Sequence, residues 1–394
     1  MKILVFGHIP TWAGGKQEQG LANVIYNLAY AMSKEDGVEV TLAATDVNET
    51  QLEKDKLHIK GWTKRELICY IIMHPIWSIM YSLYLFKNRF LFPPHNSIAG
   101  YFFKGVFLRK TIKYNNPDIL HLHEASSWFY IKIVPQNVKI VVTFHCDFGI
   151  SNEISFSQSY SILEQRCLYS ERISTVYFIS HNLLERYKSY YKNIISPTDV
   201  ILNAYDDKVF SYIEHIPYDN LRICTIGSIQ SIKGQSRVLE GINKSGVFCF
   251  YYTIGTGSHE ECEALKQYSR ANSINYIHLG KKKPQEIREL LSEMDYMILP
   301  SSSEGFGLVF LETIACGVKV VLPKQLPIVQ EKSIIKPGIN SILLDDCSSE
   351  SISLTIKELE KKILYDHKSV SDSISSSSWQ QIAKQYINSF KIIT

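Results

Sequence analysis

The chain has no C-x-x-C pair. Its eight cysteines, Cys69, Cys146, Cys167, Cys224, Cys249, Cys262, Cys316 and Cys347, are scattered along 394 residues. That spacing argues against a zinc ribbon, a redox pair or a disulfide framework, and suits small apolar fillers in a reducing compartment. Net charge is only +3, so no nucleic-acid partner is expected and any basic surface is local. The G-x-G-x-x-G fingerprint is missing, which removes the sequence argument for NAD. Residues 1–7 are too short an apolar run for a signal peptide, and the expectation is a cytoplasmic protein. One further absence is local: residues 67–86 contain no Asp, Glu, Lys or Arg. The length meets that of a membrane span, but His74-Pro75 breaks the middle, and Tyr70, Ser78, Tyr81, Ser82 and Tyr84 dilute it. Lys87, Arg89, Lys104, Arg109, Lys110 and Lys113 follow, interleaved with Phe90, Phe92, Tyr101, Phe102, Phe103 and Phe107. The mixture suits contact with an anionic membrane surface, without crossing, through about residues 67–113. Ordinary core helices are the main alternative, and a true span is the lesser one.

What is present suits a two-domain globular chain, in length and in its 45% hydrophobic content. Residues 2–7 form an apolar run closed by glycine, as a buried parallel strand does. A loop with Gly14-Gly15 comes next, then helical spacing through Leu21, Ile25, Leu28 and Ala29. Strand, glycine-rich loop and helix let backbone approach a ligand closely; a plain flexible connection is the alternative. Further strands are expected at 38–43, 118–124, 138–145, 174–180 and 199–203. The apolar pattern thins near 205–220, and a second series follows at 221–227, 247–255, 275–279, 295–299 and 318–323. Strands alternating with helices predict parallel sheets, an α/β fold.

His121 and His123 share one face of a strand. His145 ends the next strand, where ligand sites of such folds lie. A metal on these three lacks a supporting carboxylate set, and no metal site is expected. Packed structural histidines are the usual alternative for His121, and His145 is the stronger functional candidate. The serines at 373–378 read as a linker or cap. Trp379, Ile382, Ala383, Tyr386, Ile387 and Phe390 then recur at helical spacing, as in a docking helix.

The densest signal is residues 300–317, Pro-Ser-Ser-Ser-Glu-Gly-Phe-Gly-Leu-Val-Phe-Leu-Glu-Thr-Ile-Ala-Cys-Gly. A strand-like run leads in, and the helical pattern stops at Gly317, a natural position just past a helix end. The turn therefore sits at a helix N-terminus, where free N–H groups and the helix dipole favour anions. Glu304 lies in the turn. Glu312 lies among Val309, Phe310, Leu311, Ile314 and Ala315, where a carboxylate is costly unless something hydrogen-bonds to it; a glutamate facing solvent is the alternative. A phosphorylated sugar fits this stretch.

Glu304-Gly-Phe-Gly-Leu-Val-Phe-Leu-Glu312 is similar to the E-x7-E signature of retaining glycosyltransferases of family 4. Gly14-Gly15, Thr143-Phe-His145, Val200-Ile-Leu-Asn-Ala-Tyr-Asp206, Gly227 with Lys233-Gly234, Gly255-Thr-Gly257 and the closing Ser378-Trp379 helix follow in that family's order. The chain resembles the family over nearly its whole length, least over about residues 50–115. The resemblance implies the GT-B fold, two facing Rossmann-like domains at 1–205 and 206–375, with a helix at 376–394 crossing back. It implies transfer of a sugar from a UDP- or GDP-sugar to a glycan or glycolipid acceptor, with retention and without a metal or other cofactor.

By the same resemblance Glu304 bonds the donor sugar, and the backbone of Gly305, Phe306, Gly307 and Leu308 meets sugar and diphosphate. Glu312 holds the ribose, Lys233 neutralises the diphosphate, His145 bonds the sugar at the reacting carbon, and Gly14, Gly15, Gly227, Ser228 and Gly255 line the donor. The chain departs from the pattern in places. Ser228 stands where an arginine is usual, with Lys281 or Arg237 as substitutes; Ala204-Tyr205 replaces Gly-Val, and Asp147 is displaced by one from a His-Asp pair. Ser228 raises two alternatives, a non-catalytic sugar-binding subunit and a sugar-nucleotide epimerase. The expected location is the cytoplasm, with the inner face of the plasma membrane as a peripheral site.

Overall fold

Short runs of Val, Ile, Leu and Tyr alternate with helical stretches, and the runs pair into two separate sheets. The structure, a computed structural model, describes all residues except 17–19, 49–51, 94–96, 147, 151–156 and 362–363. Two compact units result: Met1–Asn203 with Trp379–Thr394, and Ala204–Ser378.

The first unit's sheet runs, in spatial order, Leu52–Lys54, Leu57–Lys60, Glu39–Ala44, Lys2–Gly7, Ile119–His123, Lys139–Phe144, Ile173–Phe178 and Thr198–Val200. All neighbours are parallel except the first two, an edge hairpin. That hairpin is not foreseen in the sequence, because strands of three and four residues carrying lysines show no apolar run. The helix Trp379–Ile393 buries Trp379, Ile382, Ala383, Tyr386, Ile387 and Phe390 and packs on helix Gly20–Ser33. Ser389 and Tyr177 share a hydrogen bond of 2.7 Å beneath it. The serines before it do not trail as a linker: Ser375–Ser377 form a 3-10 turn, and Ser378 bridges to Tyr205.

The charge-free segment folds as two helices, Lys64–Met73 and Pro75–Lys87, bent by 107°. Pro75 supplies no N–H to a continuing helix and is pre-set for a new first turn, so the break falls at His74. Leu67 and Tyr70 of the first helix, and Ser78, Tyr81 and Leu85 of the second, are buried, and both helices pack on helix Ile98–Asn115. There Gly105 makes room, since a Cβ would lie 2.3 Å from the Tyr81 hydroxyl. Among the described residues no single helix is long and apolar enough to cross a membrane.

The second unit's sheet is parallel throughout, in the order Asn275–Gly280, Cys249–Ile254, Leu221–Ile226, Tyr296–Ile298, Lys319–Pro323, Ser341–Leu344. Counted along the chain this is 3-2-1-4-5-6, the doubly wound Rossmann order. Ile223, Tyr251, Ile298 and Val321 fill its core with Val238, Leu239, Ile352 and Ile356 of the covering helices. Connections leave to opposite sides of the sheet between Leu221–Ile226 and Tyr296–Ile298. The carboxyl ends of these two strands therefore open a crevice, the place where such folds bind ligands.

Candidate functional site

Two loops rise from that crevice. The first leaves strand Leu221–Ile226 through Gly227 and Ser228 to the 3-10 turn Ser231–Lys233 and helix Gln235–Ser245. The second leaves strand Tyr296–Ile298 through residues 299–307 to helix Leu308–Ala315. Side chains and backbone tie them together. The Ser302 N–H donates to the Ile232 carbonyl at 2.9 Å. The Arg237 guanidinium donates to the carbonyls of Ser231 and Pro300, at 2.9 and 2.7 Å. Gln235, buried, donates to the Ser228 carbonyl at 2.8 Å. Across the gap, Lys233 Nζ lies 2.6 Å from Glu304 Oε1, with side chains 21% and 10% exposed. The lysine and glutamate singled out in the sequence, 71 residues apart, thus meet as one charge-assisted pair.

Arg237 does not stand as a free cation for a phosphate, because its guanidinium clamps the two loops. Lys281 is exposed at the carboxyl end of the edge strand Asn275–Gly280, two strands from Gly227. Gly227 has φ +148 and nothing within 4 Å of where a Cβ would be. Gly255, at φ +149, would place a Cβ 1.9 Å from the Gly227 carbonyl oxygen. Only glycine fits at Gly255, and the result is bare backbone at the ends of two adjacent strands, Cys249–Ile254 and Leu221–Ile226.

Helix Leu308–Ala315 starts from Gly307, left-handed at φ 80 and ψ 55; a Cβ there would meet the Phe310 ring at 2.6 Å. It ends with the Gly317 N–H on the Ile314 carbonyl and the Val318 N–H on the Thr313 carbonyl, at 2.9 and 3.2 Å, with Gly317 at φ 92. That is a Schellman closure. Phe306 and Phe310 are buried and Gly305 is exposed, which turns the 304–308 backbone outward. Phe310, Leu311, Thr313, Ile314 and Ala315 are buried. Glu312 keeps part of its surface, and desolvation, helped by the charge of Asp206, pushes its carboxyl up to about 7. Asp206 lies in the stretch that resembles the family's crossover; its neighbourhood to Glu312 is not written in any spacing.

The first unit holds the other candidates. Gly14 is left-handed at φ 96, and a Cβ on Gly15 would sit 2.0 Å from the Ile9 carbonyl oxygen. Asp46 grips this turn, accepting from the N–H groups of Ile9 and Lys16 at 3.2 and 2.9 Å. Nothing in the sequence marks Asp46, because one aspartate after a strand carries no pattern. His145 shares a hydrogen bond of 3.0 Å with His123, between Nε2 and Nδ1. His121 is buried and bonds Thr143 Oγ1 at 2.7 Å. Burial holds both His121 and His145 down at about 3, so both are neutral. Among the described residues no group of three His, Cys, Asp or Glu is placed to hold a metal ion. Asp147 lies outside the described residues.

Glu124, beside His123, is a second residue the sequence does not flag. Its φ of 67 and ψ of 154 fall in a region that is nearly glycine-only. Burial pushes its carboxyl up to about 8, against a hydrogen bond from Cys146.

Residues 19–209 match the family model Glycosyltransferase Family 4, and residues 210–370 match Glycosyl transferases group 1. The chain belongs to the family 4 glycosyltransferases. It is 24% identical, over 64% of its length, to N-acetyl-alpha-D-glucosaminyl L-malate synthase of Bacillus anthracis, 65% of which is matched. It is 26% identical, over 34% of its length, to the O-antigen biosynthesis glycosyltransferase WclY of Escherichia coli, 39% of which is matched. The chain thus spans less than two thirds of either relative. The Anabaena protein HepE, solved in complex with UDP-glucose, is similar at a TM-score of 0.67 and 15% identity over 100% of both chains. This glycosyltransferase has the GT-B architecture of two Rossmann-like domains.

Proposed function

We propose that this glycosyltransferase moves a hexose-type sugar from a UDP- or GDP-sugar to an acceptor hydroxyl, with retention at the anomeric carbon. The observation that carries the reading is the Lys233–Glu304 pair, 2.6 Å apart at the sheet's switch point beside the open backbone of Gly227. In the reaction the bond from the anomeric carbon to the diphosphate oxygen breaks and its electron pair leaves with the diphosphate, while the acceptor hydroxyl oxygen bonds the same carbon from the same face and its proton passes to the departing diphosphate oxygen. Lys233 transfers its contact from Glu304 to the phosphates as that charge grows. Glu304, released, accepts from hydroxyls of the sugar. The N–H groups at the start of helix Leu308–Ala315 add fixed positive dipoles, and Glu312 accepts from the ribose hydroxyls.

His145, neutral because it is buried, bonds the sugar without opposing the positive charge that develops at its reacting carbon. The charges come from side chains and backbone, so this scheme uses no cofactor and does not call on the paired carboxylates of glycosidases. The O-antigen relative supports a glycan or glycolipid acceptor, and a cytoplasmic location, peripheral at the inner face of the plasma membrane, is part of the same proposal.

A panel of UDP- and GDP-sugars, assayed for nucleoside diphosphate release with and without acceptor glycans, tests the reading. Release from at least one donor, raised by an acceptor, is expected. Ser228 favours a second reading, a non-catalytic sugar-binding subunit, which binds nucleotide sugar and releases nothing. An epimerase converts the free nucleotide sugar into its epimer with no acceptor present.

A further inference from the structure

A helix on a protein surface normally turns an apolar stripe inward and a polar one outward. Helix Pro75–Lys87 has two apolar stripes. Ser78, Tyr81 and Leu85 face in and are buried; Ile76, Ile79, Met80 and Leu83, at i, i+3, i+4 and i+7, face out and are 60–76% exposed. Helix Lys64–Met73 continues the face with Ile68, Ile72 and Met73, 50–70% exposed. Contiguous outward aliphatics on this scale mark an interaction surface.

We infer that the outward face of this bent helix pair docks in the interface of an anionic lipid bilayer, lying in its plane. Neither helix reaches across alone, since 10 and 13 residues are about 15 and 20 Å long against a hydrocarbon core of about 30 Å, and the 107° bend keeps the two from adding end to end. Charge selects the occupant. Residues 64–113 contain eight Lys and Arg and one acidic residue, Glu66, which is already paired to Lys110 at 3.4 Å. Lys64 and Arg65 open the pair, Lys87 and Arg89 close it, and all four are exposed. The Arg89 guanidinium lies 4.4 Å over the Phe86 ring, a charged head above an apolar stem's depth. A second copy of the chain would set these cations against each other; anionic headgroups neutralise them.

The same helix is joined to the chain beside the histidines. The Tyr81 hydroxyl donates to the Phe129 carbonyl at 3.4 Å, and the Tyr84 and Trp128 rings lie 5.8 Å apart. Trp128–Ile131 follows directly on Glu124 and the 3-10 turn Ala125–Ser127. A docked face therefore holds the acceptor-side unit at the lipid surface. This last step alone rests on the proposed transferase reading.

Flotation of the full chain with vesicles of phosphatidylcholine, or of phosphatidylcholine and phosphatidylglycerol in equal parts, tests the docking. The protein is expected to float with the mixed vesicles at low salt and to lose most of that binding at high salt. The triple variant Ile76→Ser, Met80→Ser, Leu83→Ser is expected to bind at least about tenfold less. Lys87→Glu with Arg89→Glu, which replaces no apolar side chain, is also expected to bind less. Wild-type protein that stays unbound with both vesicles overturns the inference. So does flotation of both variants to the same extent as wild type, or a concentration-dependent dimer that the triple variant dissolves. Flotation needs neither donor nor acceptor, and diphosphate release to a soluble acceptor needs no vesicle, so failure of one proposal is told apart from failure of the other.

Discussion

Lys233 and Glu304 hold each other in a partly buried cradle, so each is positioned before any ligand arrives. Lys233→Ala is expected to weaken nucleoside diphosphate binding about 10–100-fold and nucleoside binding hardly at all, by isothermal titration. Equal losses for both ligands would place Lys233 away from the phosphates. Glu312 gives a pH signature. Its carboxyl is raised from an ordinary value of 4.5 to about 7, so between those values the folded chain keeps a proton that the unfolded chain has lost. Stability therefore falls as pH rises across that window.

Glu312→Gln is expected to melt higher than wild type at about pH 8, by about 1–2 kcal/mol after solvent access is allowed for, and equally below about pH 4.5. Nucleotide affinity of the wild type is expected to fall as pH drops below about 7, because in the proposed role of Glu312 ribose hydroxyls donate to the ionised form; the variant lacks that slope. Glu304 and Glu312 were legible because glutamates in a glycine turn and an apolar helix need an explanation. Asp46 and Glu124 were not, since their distinction is a bonded partner and a backbone angle, neither of which has a spacing.

The elements were read best where periodicity is strong. The helix Trp379–Ile393 buries six residues at helical spacing, and the central strands begin and end within a residue or two of their apolar runs. The charge-free segment shows the limit: composition measured its length, while only geometry separates an inner stripe from an outer one. Short strands such as Ser341–Leu344 were missed because four residues hold too little pattern. At this scale the glycines at strand ends are the exposed point. Gly255→Ala puts a Cβ 1.9 Å from the Gly227 carbonyl, in a backbone region closed to alanine, and is expected to cost about 2–4 kcal/mol in thermal unfolding. Gly246→Ala, also left-handed but with open space around it, is expected to cost about 1 kcal/mol or less.

For the molecule as a whole, two Rossmann-like units and the family followed from alternating elements and the order of the motifs. The edge hairpin and the division at Asn203 and Ser378 needed the pairing of strands and the packing of helices. A donor nucleotide at about a hundred times its dissociation constant adds about 2.7 kcal/mol to the unit that binds it. The melting transition of that unit is then expected to rise by several degrees, while free phosphate at the same concentration leaves it unchanged.

The most direct measurement compares wild type and Glu304→Ala for nucleoside diphosphate release from the donor the wild type accepts, alongside affinity for the diphosphate itself. A loss of about a hundredfold or more in release is expected, with diphosphate affinity within about threefold of wild type, since the proposed reaction gives the sugar contact to Glu304 and the phosphate contact to Lys233. A Glu304→Ala enzyme that releases diphosphate as fast as the wild type would contradict it.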